Sequence, residues 1–381
     1  MRRRVQPAVL RELDAAYAAT LVGGGVGWGE ARAALLAGRA GWQNAAVRNR
    51  FFQPEEPDSD LIAALRQRQR DAPHSHGPGE ADLRSLLGCA DATPTGTLQD
   101  ICRGWPTRLQ CFVSELPGAT GRIFPRCGGL GPTSPYWLMS AASILPVLAL
   151  GARPGDRVLD LCASPGGKSY ALAQHADRLS LLSNDLNRSE ELERALAAHV
   201  PDAGIAVTSE ASGWLRDPDP TALQEFVGER WGLRQGEEGA THALFDRVML
   251  DVPCSTDKHL LVSTDATVQR ELPRFVDGHY PPLQLELLTS GLRALRPGGT
   301  LVYCTCTLDA RQNSAVVAAA LREPAARRFR TVPLFDSLHA GFGRHFNLRR
   351  EQGDVGVLVV PSLERNWGPL YVSLIAAEPH A

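Results

Sequence analysis

Cysteine and aspartate side chains stand directly after two apolar runs of the sequence, where they could carry out chemistry. Asp251 and Cys254 lie in the segment DVPCSTDK, and Cys306 lies in the segment YCTCT. A thiolate is a strong nucleophile, and a nearby carboxylate can stabilise a reacting group by hydrogen bonding. Because open α/β sheets hold ligands at the carboxyl ends of their strands, we expect the two segments to meet at one sheet edge.

The eight cysteines also admit two less reactive interpretations. A buried cysteine is usually a small hydrophobic side chain, and we expect this of Cys89, Cys102, Cys111 and Cys127. Zinc binding is the second interpretation, with a possible ligand set made of Cys162, Cys254, Cys304 and Cys306. The chain has no C-x-x-C pair and no nearby histidine pair at ligand spacing, so we expect no metal site.

The segment DLCASPGGKS at 160–169 joins an apolar run to a helical pattern. Gly166 and Gly167 permit a tight turn and a close approach of the backbone to a ligand at a helix N-terminus. Cys162 occupies the first glycine position of a Walker A loop, and the G-x-G-x-x-G fingerprint is missing. A nucleoside-type cofactor without a pyrophosphate remains. Asp185, at the end of the next apolar run, is then the candidate for its ribose hydroxyls, or else a turn or helix N-cap residue.

Alternating strand and helix patterns must position these segments. Strands are predicted at 157–162, 179–185, 245–253 and 299–307, and helices at 168–176, 189–200 and 282–295. Two final runs, VGVLVVPSL and GPLYVSLIAA, predict a terminal antiparallel hairpin that closes the sheet edge. The pattern predicts an α/β fold with a mostly parallel sheet. With the cofactor loop, it favours a Rossmann-like class I S-adenosylmethionine-dependent methyltransferase.

The chain divides into three predicted regions. Residues 1–52 are predicted to form a small helical N-terminal region, whose Arg-rich start resembles a mitochondrial presequence. Residues 53–104, rich in proline, glycine and charge, are predicted to be a variable linker around a short helix. Residues 105–381 are predicted to form the catalytic domain.

Composition and charge exclude several function classes. The apolar run Leu138–Leu150 is interrupted by polar residues and falls short of the roughly 20 residues that span a bilayer. The formal net charge of −2 gives no overall field that would attract nucleic acid. Of the 40 basic residues only Lys168 and Lys258 are lysines, and both lie inside the segments singled out above.

The segments DLCASPGGKS, DVPCSTDKH and YCTCT resemble motifs of the RNA cytosine-5 methyltransferases of the NOL1/NOP2/Sun family. The stretches YWLMSAASILPVLALGARPGD and VGVLVVPSLERNWGPLYVSL are most similar to the members that act on mitochondrial ribosomal RNA. The resemblance covers about 131–314 and 355–374. It implies that S-adenosylmethionine is the cofactor and that 5-methylcytosine in RNA is the product.

The resemblance also implies roles for individual residues. Cys306 is the nucleophile that adds to cytosine C6, Cys254 serves product release, and Asp251 stabilises the base edge. The cofactor is expected to contact a loop and two acidic side chains: Cys162, Ala163, Ser164, Pro165, Gly166, Gly167, Lys168, Asp185 and Asp251. Glu210 is the candidate on the adenine side, in a stretch, TSEASG, that departs from the family pattern.

The expected partners are small-subunit ribosomal RNA and, by resemblance, a transcription-termination-factor-like helical-repeat protein in the mitochondrial matrix. Intrinsic RNA affinity is expected to be weak. Candidate RNA-positioning residues are Arg122, Arg126, Arg344, Arg349 and Arg350, and Lys258 is expected to steady a phosphate or the Cys254 loop. Three alternatives stay open: the same chemistry on transfer RNA, a ribosome-assembly scaffold that does not need methylation, and a nucleotide hydrolase.

Overall fold

A computed structural model of the chain describes residues 7–18, 21, 25–37, 44–52, 59–70, 98–114, 124, 134–200, 204–235, 237, 241–262 and 265–379. The strands within these residues are β1 (Ala45–Arg48), β2 (Leu98–Asp100), β3 (Cys111–Ser114), β4 (Tyr136–Met139), β5 (Arg157–Asp160), β6 (Ser180–Asn184), β7 (Ile205–Thr208), β8 (Phe245–Asp251), β9 (Leu295–Thr305), β10 (Phe329–Val332), β11 (Leu348–Arg350), β12 (Val357–Val359) and β13 (Leu370–Ala377).

The helices of the same residues are α1 (Pro7–Tyr17), α2 (Trp28–Leu36), α3 (Ser59–Arg70), α4 (Ile144–Leu150), α5 (Gly167–His175), α6 (Ser189–Ala197), α7 (Ala211–Trp214), α8 (Thr221–Trp231), α9 (Asp257–Val262), α10 (Asp265–Val276), α11 (Tyr280–Ala294), α12 (Ser314–Arg322) and α13 (Phe335–Phe342). Within this described part of the chain, no helix has the length and apolarity needed to cross a membrane.

The main sheet has a parallel half and an antiparallel half. Its strand order is β11-β12-β13-β9-β8-β5-β6-β7, and β10 also pairs with β13. Strands β9, β8, β5, β6 and β7 run parallel to one another, whereas β10, β11, β12 and β13 make antiparallel pairs. The predicted α/β fold, with a parallel sheet and a terminal antiparallel hairpin, is confirmed.

The terminal hairpin lies deeper in the sheet than the sequence suggested. Strand β13 sits between β9 on one side and two short strands, β10 and β12, on the other. Nearly all of its residues are buried. The prediction that the hairpin closes the edge is therefore wrong in detail: β10 and β11 add strands outside it and pair backbone groups that would be unpaired at an edge.

Successive side chains of the parallel strands point to opposite faces of the sheet, so the core has two layers. Val158 belongs to the cluster covered by α4 and α5, whereas Leu159 belongs to the cluster covered by α1, α2, α11 and α12. Met249 and Leu250 divide in the same way. Successive strand residues face opposite sides of a sheet, so these strands are buried on both faces and their carboxyl ends stay open for a site.

A small antiparallel sheet, in the order β2-β3-β1-β4, precedes the main one. It corrects the prediction of helices through residue 52: α1 and α2 are helices, but Ala45–Arg48 is a strand paired on both sides. Its buried Ala45, Ala46 and Val47 form a short apolar stretch that pairing with distant segments turns into a strand. The predicted domain boundaries stay predictions, and this sheet takes strands from all three predicted regions.

Candidate active site

The residues singled out from the sequence follow the carboxyl ends of five adjacent parallel strands. Along the sheet edge, Cys306 follows β9, Asp251 ends β8, the loop 161–166 follows β5, Asp185 follows β6 and Glu210 lies beyond β7. The predicted convergence on one edge is confirmed. The nucleophile candidate and the adenine-side candidate thus occupy opposite ends of a single row.

The two cysteine loops are in direct contact. Cys254 Sγ lies 3.1 Å from Cys306 Sγ and 3.4 Å from the Cys306 backbone nitrogen. Thr256 Oγ1 lies 3.4 Å from Cys306 Sγ and 3.7 Å from Cys254 Sγ. Thr256 adopts a left-handed backbone with φ of 52°, a conformation that is unfavourable for a β-branched residue and must be held by its surroundings.

The contact between the sulfurs separates the acidities of the two thiols. A hydrogen bond from Cys254 lowers the pKa of Cys306, with further help from Thr256 and Lys168, and together they outweigh burial and Asp251. The same hydrogen bond, together with burial, raises the pKa of Cys254. Cys306 is therefore the more acidic thiol of the pair and Cys254 the less acidic one. Cys306 is also the more accessible of the two, as a nucleophile requires.

Lys168 and Asp251 form an ion pair beside the cysteines. Lys168 Nζ lies 2.5 Å from Asp251 Oδ2, and the Cys304 thiol donates to Asp251 Oδ1 at 3.4 Å. Burial would lower the pKa of Lys168, but the charges of Asp251 and of the nearby sulfurs raise it above its usual value. The amine thus stays charged at neutral pH, and its charge favours the Cys306 thiolate.

The cofactor loop is fixed by backbone contacts. Ala163 N donates to Asn184 O at 2.8 Å, and Gly166 N donates to Ala163 O at 2.8 Å. Gly166 has φ of 107°, and a Cβ at this position would lie 3.1 Å from Leu192 Cδ1. The left-handed conformation favours glycine here, and a larger residue would also displace the Leu192 side chain. The neighbouring Pro165 is exposed, Ser164 and Gly167 are half-buried, and Cys162 packs against the core.

Asp160 was not assigned a role from the sequence. Its surroundings show whether the loop suits a cofactor. It is fully buried, and Ser169 Oγ donates to its Oδ2 at 2.7 Å. Its Oδ1 is buried without a hydrogen-bond partner among the described residues. Burial raises its pKa to about 7. An orphaned carboxylate oxygen beside a glycine-lined loop fits a ligand that carries an ammonium group, as S-adenosylmethionine does.

Asp185 forms the turn that the sequence left open as an alternative. Its Oδ1 accepts from the backbone nitrogens of Asn187 at 3.1 Å and Arg188 at 2.9 Å, and its Oδ2 accepts from Ser164 N at 3.1 Å. These bonds tie the β6 end to the cofactor loop. Each carboxylate oxygen can accept more than one hydrogen bond, so the turn is compatible with a ribose contact, which stays a prediction.

Glu210 is an exposed residue at the end of the row. Its backbone nitrogen donates to Thr208 Oγ1 at 3.1 Å, and its carbonyl accepts from Trp214 N at the start of α7. The side chain itself is exposed at the far end of the row. The structure places Glu210 on the correct edge, and its adenine contact stays a prediction.

The remaining basic candidates lie in different environments. Lys258 is largely buried, its Nζ donates to Asn366 O at 3.3 Å, and burial lowers its pKa to about 7. Arg350 is paired with Asp336 and Asp354. Of the four other arginine candidates, Arg344 is exposed and Arg349 is half-buried, whereas Arg122 and Arg126 lie outside the described residues. Within the residues described, no group of three or more His, Cys, Asp or Glu side chains could hold a metal ion.

Sequence comparisons identify relatives of this chain. Residues 147–364 match the family described as 16S rRNA methyltransferase RsmB/F. The chain is 38% identical over 268 residues to the 5-cytosine rRNA methyltransferase NSUN4 of Bos taurus, a match covering 69% of this chain and 65% of that relative. It is 32% identical over 369 residues to a mitochondrial tRNA (cytosine(34)-C(5))-methyltransferase of Mus musculus, covering 96% and 89%. The chain thus spans just under two thirds of the bovine relative's length.

A comparison with solved structures concerns the fold. The crystal structure of NSun6 from Pyrococcus horikoshii with SFG aligns over 100% of both chains with a TM-score of 0.51 and 13% sequence identity. At this identity the likeness supports the fold alone. It agrees with the class I methyltransferase architecture predicted from the order of strands and helices.

Proposed function

The chain belongs to the 16S rRNA methyltransferase RsmB/F family, as its motifs predicted, and from this premise we propose that it methylates C5 of a cytosine in RNA. The observation that carries the proposal is the pair of cysteine loops, in which Cys254 lowers the pKa of Cys306 at a sulfur–sulfur distance of 3.1 Å. The pair lies on the same edge as the cofactor loop. Such an edge can bring an activated nucleophile and a methyl donor to one base.

The proposed reaction starts at Cys306. Carbon C5 of cytosine is a weak nucleophile, so the thiolate adds to C6 and the ring electrons move towards C5. S-adenosylmethionine, when bound, supplies an electrophilic methyl group. Its proposed contacts are the loop Cys162–Lys168, Asp185 and Asp251, with Glu210 towards the adenine. The orphaned oxygen of Asp160 is suited to the ammonium group of the methionine portion.

Asp251 and Lys168 are proposed to stabilise the base edge together. Because Asp251 is ion-paired with Lys168, its carboxylate is an acceptor only. It can therefore accept from the exocyclic amino group of cytosine but cannot donate to N3. The ammonium of Lys168 supplies the positive charge that offsets electron density developing on the ring.

Release of the product is proposed to depend on Cys254. After methyl transfer, water takes the C5 proton, the electrons of the C5–H bond form the C5–C6 double bond, and the C6–S bond breaks, which expels Cys306 and restores the aromatic ring. The leaving sulfur becomes a thiolate, and a neighbouring thiol stabilises it by donating a hydrogen bond. Cys254, whose raised pKa keeps it protonated, lies 3.1 Å from that sulfur.

The proposed target is small-subunit ribosomal RNA in the mitochondrial matrix, in the context of ribosome assembly. NSUN4 of Bos taurus is named as a 5-cytosine rRNA methyltransferase, and the Mus musculus relative is named as mitochondrial. A base that reacts with Cys306 must leave its stack, so single-stranded or loop RNA is expected. The net charge of −2 fits a weak intrinsic RNA affinity and a helper protein, proposed to be a helical-repeat partner.

Transfer RNA is the second candidate substrate. The match to the tRNA (cytosine(34)-C(5))-methyltransferase of Mus musculus extends over 96% of this chain, further than the match to the bovine rRNA enzyme. The chemistry at Cys306 would be the same. An assembly scaffold that does not methylate would have no need for the separated acidities of Cys254 and Cys306.

The test is transfer of a labelled methyl group from S-adenosylmethionine to RNA, followed by nucleoside analysis. Small-subunit ribosomal RNA fragments and mitochondrial transfer RNA are compared as substrates. We expect 5-methylcytidine in the ribosomal fragments, and a loss of at least about 10³-fold for Cys306→Ala. Cys111→Ala, which removes a fully buried thiol in the small sheet, is the matched control. Label in transfer RNA alone would show that transfer RNA is the substrate. Label in neither RNA would refute the proposal.

A further inference from the structure

A buried hydrogen-bonded cluster joins the loop after Cys254 to the loop after Cys306. Asp257 Oδ2 accepts from Leu308 N at 2.9 Å, and Asp257 Oδ1 accepts from Thr307 Oγ1 at 2.7 Å. Thr307 and Leu308 directly follow Cys306, and Asp257 begins the helix after the Cys254 loop. The fully buried Asp257 carboxylate therefore fixes the backbone that carries both sulfurs.

A further donor to this cluster comes from the N-terminal helix α1, 240 residues away in sequence. The Tyr17 hydroxyl donates to Asp257 Oδ1 at 2.7 Å and lies 3.0 Å from Thr307 Oγ1. The Tyr17 ring is fully buried and packs edge-on against Trp28 and Phe275, with centroid distances of 5.0 and 6.3 Å. Packing on two sides holds the hydroxyl in place against the carboxylate.

The charge state of Asp257 is coupled to these donors. Burial raises its pKa to about 6, whereas the hydrogen bonds from Thr307, Leu308 and Tyr17 act in the opposite direction. The charge of Asp309 repels the Asp257 carboxylate and raises its pKa. Asp309 is itself paired with Arg311. An ionised carboxylate accepts several hydrogen bonds at once, so loss of one donor favours its protonation and loosens the others.

We propose that Tyr17 is a positioning residue for Cys306, because its hydroxyl, acting through Asp257, holds the loop after β9 so that the Cys306 sulfur stays against Cys254. This inference rests on the proposed role of Cys306 as the nucleophile. It also makes α1, outside the region predicted as the catalytic domain, part of the support of the site. The reactivity of the sulfur can be measured without RNA or cofactor.

The experiment measures alkylation of Cys306 by iodoacetamide in the full chain, with the modified peptide quantified by mass spectrometry from about pH 5 to about pH 9. We expect Tyr17→Phe to slow the reaction at neutral pH by about tenfold, the loss associated with a hydrogen bond to a charged group. The pH–rate profile for alkylation of Cys306 should also move to higher pH. Without the Tyr17 hydroxyl, Asp257 keeps its proton to higher pH, and the protonated carboxyl holds the loop less well. A purely structural role for Tyr17 would not move this profile.

Tyr170→Phe is the matched control. Tyr170 is also fully buried, and its hydroxyl donates to Val47 O of the small sheet at 2.9 Å. We expect this variant to lose a similar amount of thermal stability and to keep the wild-type profile for Cys306. In an Asp257→Asn background, Tyr17→Phe should have no further effect on the rate.

The result that would overturn the inference is a Cys306 profile in Tyr17→Phe that matches wild type or matches Tyr170→Phe. If Asp257→Asn does not fold, the comparison of the two tyrosine variants still decides. A wild-type chain with a reactive Cys306 that methylates no RNA would contradict the proposed function and leave the positioning result standing.

Discussion

The two ends of the functional edge are built in different ways. At the β8–β9 end, side chains contact one another in two pairs, Cys254 with Cys306 and Lys168 with Asp251, and Cys254 and Lys168 are largely buried. At the β6–β7 end, Asp185 is held by backbone nitrogens, and the side chain of Glu210 is exposed. Desolvated contacts between side chains shift acidities and so support bond-making chemistry. A half-exposed turn suits recognition of a sugar or a base edge.

The largest effect is expected at the β8–β9 end from Lys168→Met. The substitution removes the partner of Asp251 and the charge that favours the Cys306 thiolate. We expect methyl transfer to fall about 10²-fold or more. Since the positive charge lowers the pKa of Cys306, its loss raises that pKa, and the acid limb of the pH–rate profile moves to higher pH.

Lys258→Met is the control for that experiment, because Lys258 is the other lysine of the chain and is also largely buried. Its amine donates to Asn366 O rather than to Asp251. We expect a loss of less than about tenfold. Lys258 also interacts with Cys306 by charge, so the acid limb should move, but less than in Lys168→Met. Near-normal rates of methyl transfer in Lys168→Met would show that the ion pair of Lys168 and Asp251 does not contribute to the reaction.

An intermediate effect is expected at the middle of the row from Asp160→Asn. The amide keeps the shape of the side chain but not its charge, so cofactor binding measured by calorimetry should weaken about tenfold. The pKa of Asp160 is raised from 3.8 to about 7, so the ligand-free chain should lose stability as the pH rises from about 4 to about 7. Asp160→Asn should remove that loss in thermal unfolding at different pH values, and an unchanged pH dependence would contradict the assignment.

The smallest effect is expected at the β6–β7 end from Glu210→Gln. An exposed side chain contributes little to binding, so cofactor affinity should fall by no more than about threefold. Asp185→Asn is the comparison variant, since it also disturbs three backbone hydrogen bonds. A larger loss for Glu210→Gln than for Asp185→Asn would reverse the contrast between the two ends.

The sequence predicted four of the five parallel strands, β5, β6, β8 and β9, and the meeting of the cysteine segments, because buried strands and their ends leave a local pattern. The small sheet was missed, since its strands have three or four residues and pair across distant segments. Strand β7 was missed too, because its four residues are only half-buried and give little alternation.

Two features of the site also lay beyond sequence reasoning. The orphaned oxygen of Asp160 depends on which donors surround it, and no motif reports that. The contact between Tyr17 and Asp257 joins residues 240 positions apart, and only the packing of α1 against the main domain brings them together. Motifs identify reacting groups, whereas their support comes from tertiary contacts.

The central claim, that Cys306 forms a covalent bond to RNA which Cys254 helps to release, is tested most directly on a denaturing gel. Cys254→Ala is incubated with S-adenosylmethionine and the ribosomal RNA fragment that the wild-type chain methylates. A stable protein–RNA band is predicted for Cys254→Ala and for Cys254→Ala with Cys102→Ala, and no band for Cys254→Ala with Cys306→Ala. A band that persists without Cys306, or no band in Cys254→Ala, would contradict the claim.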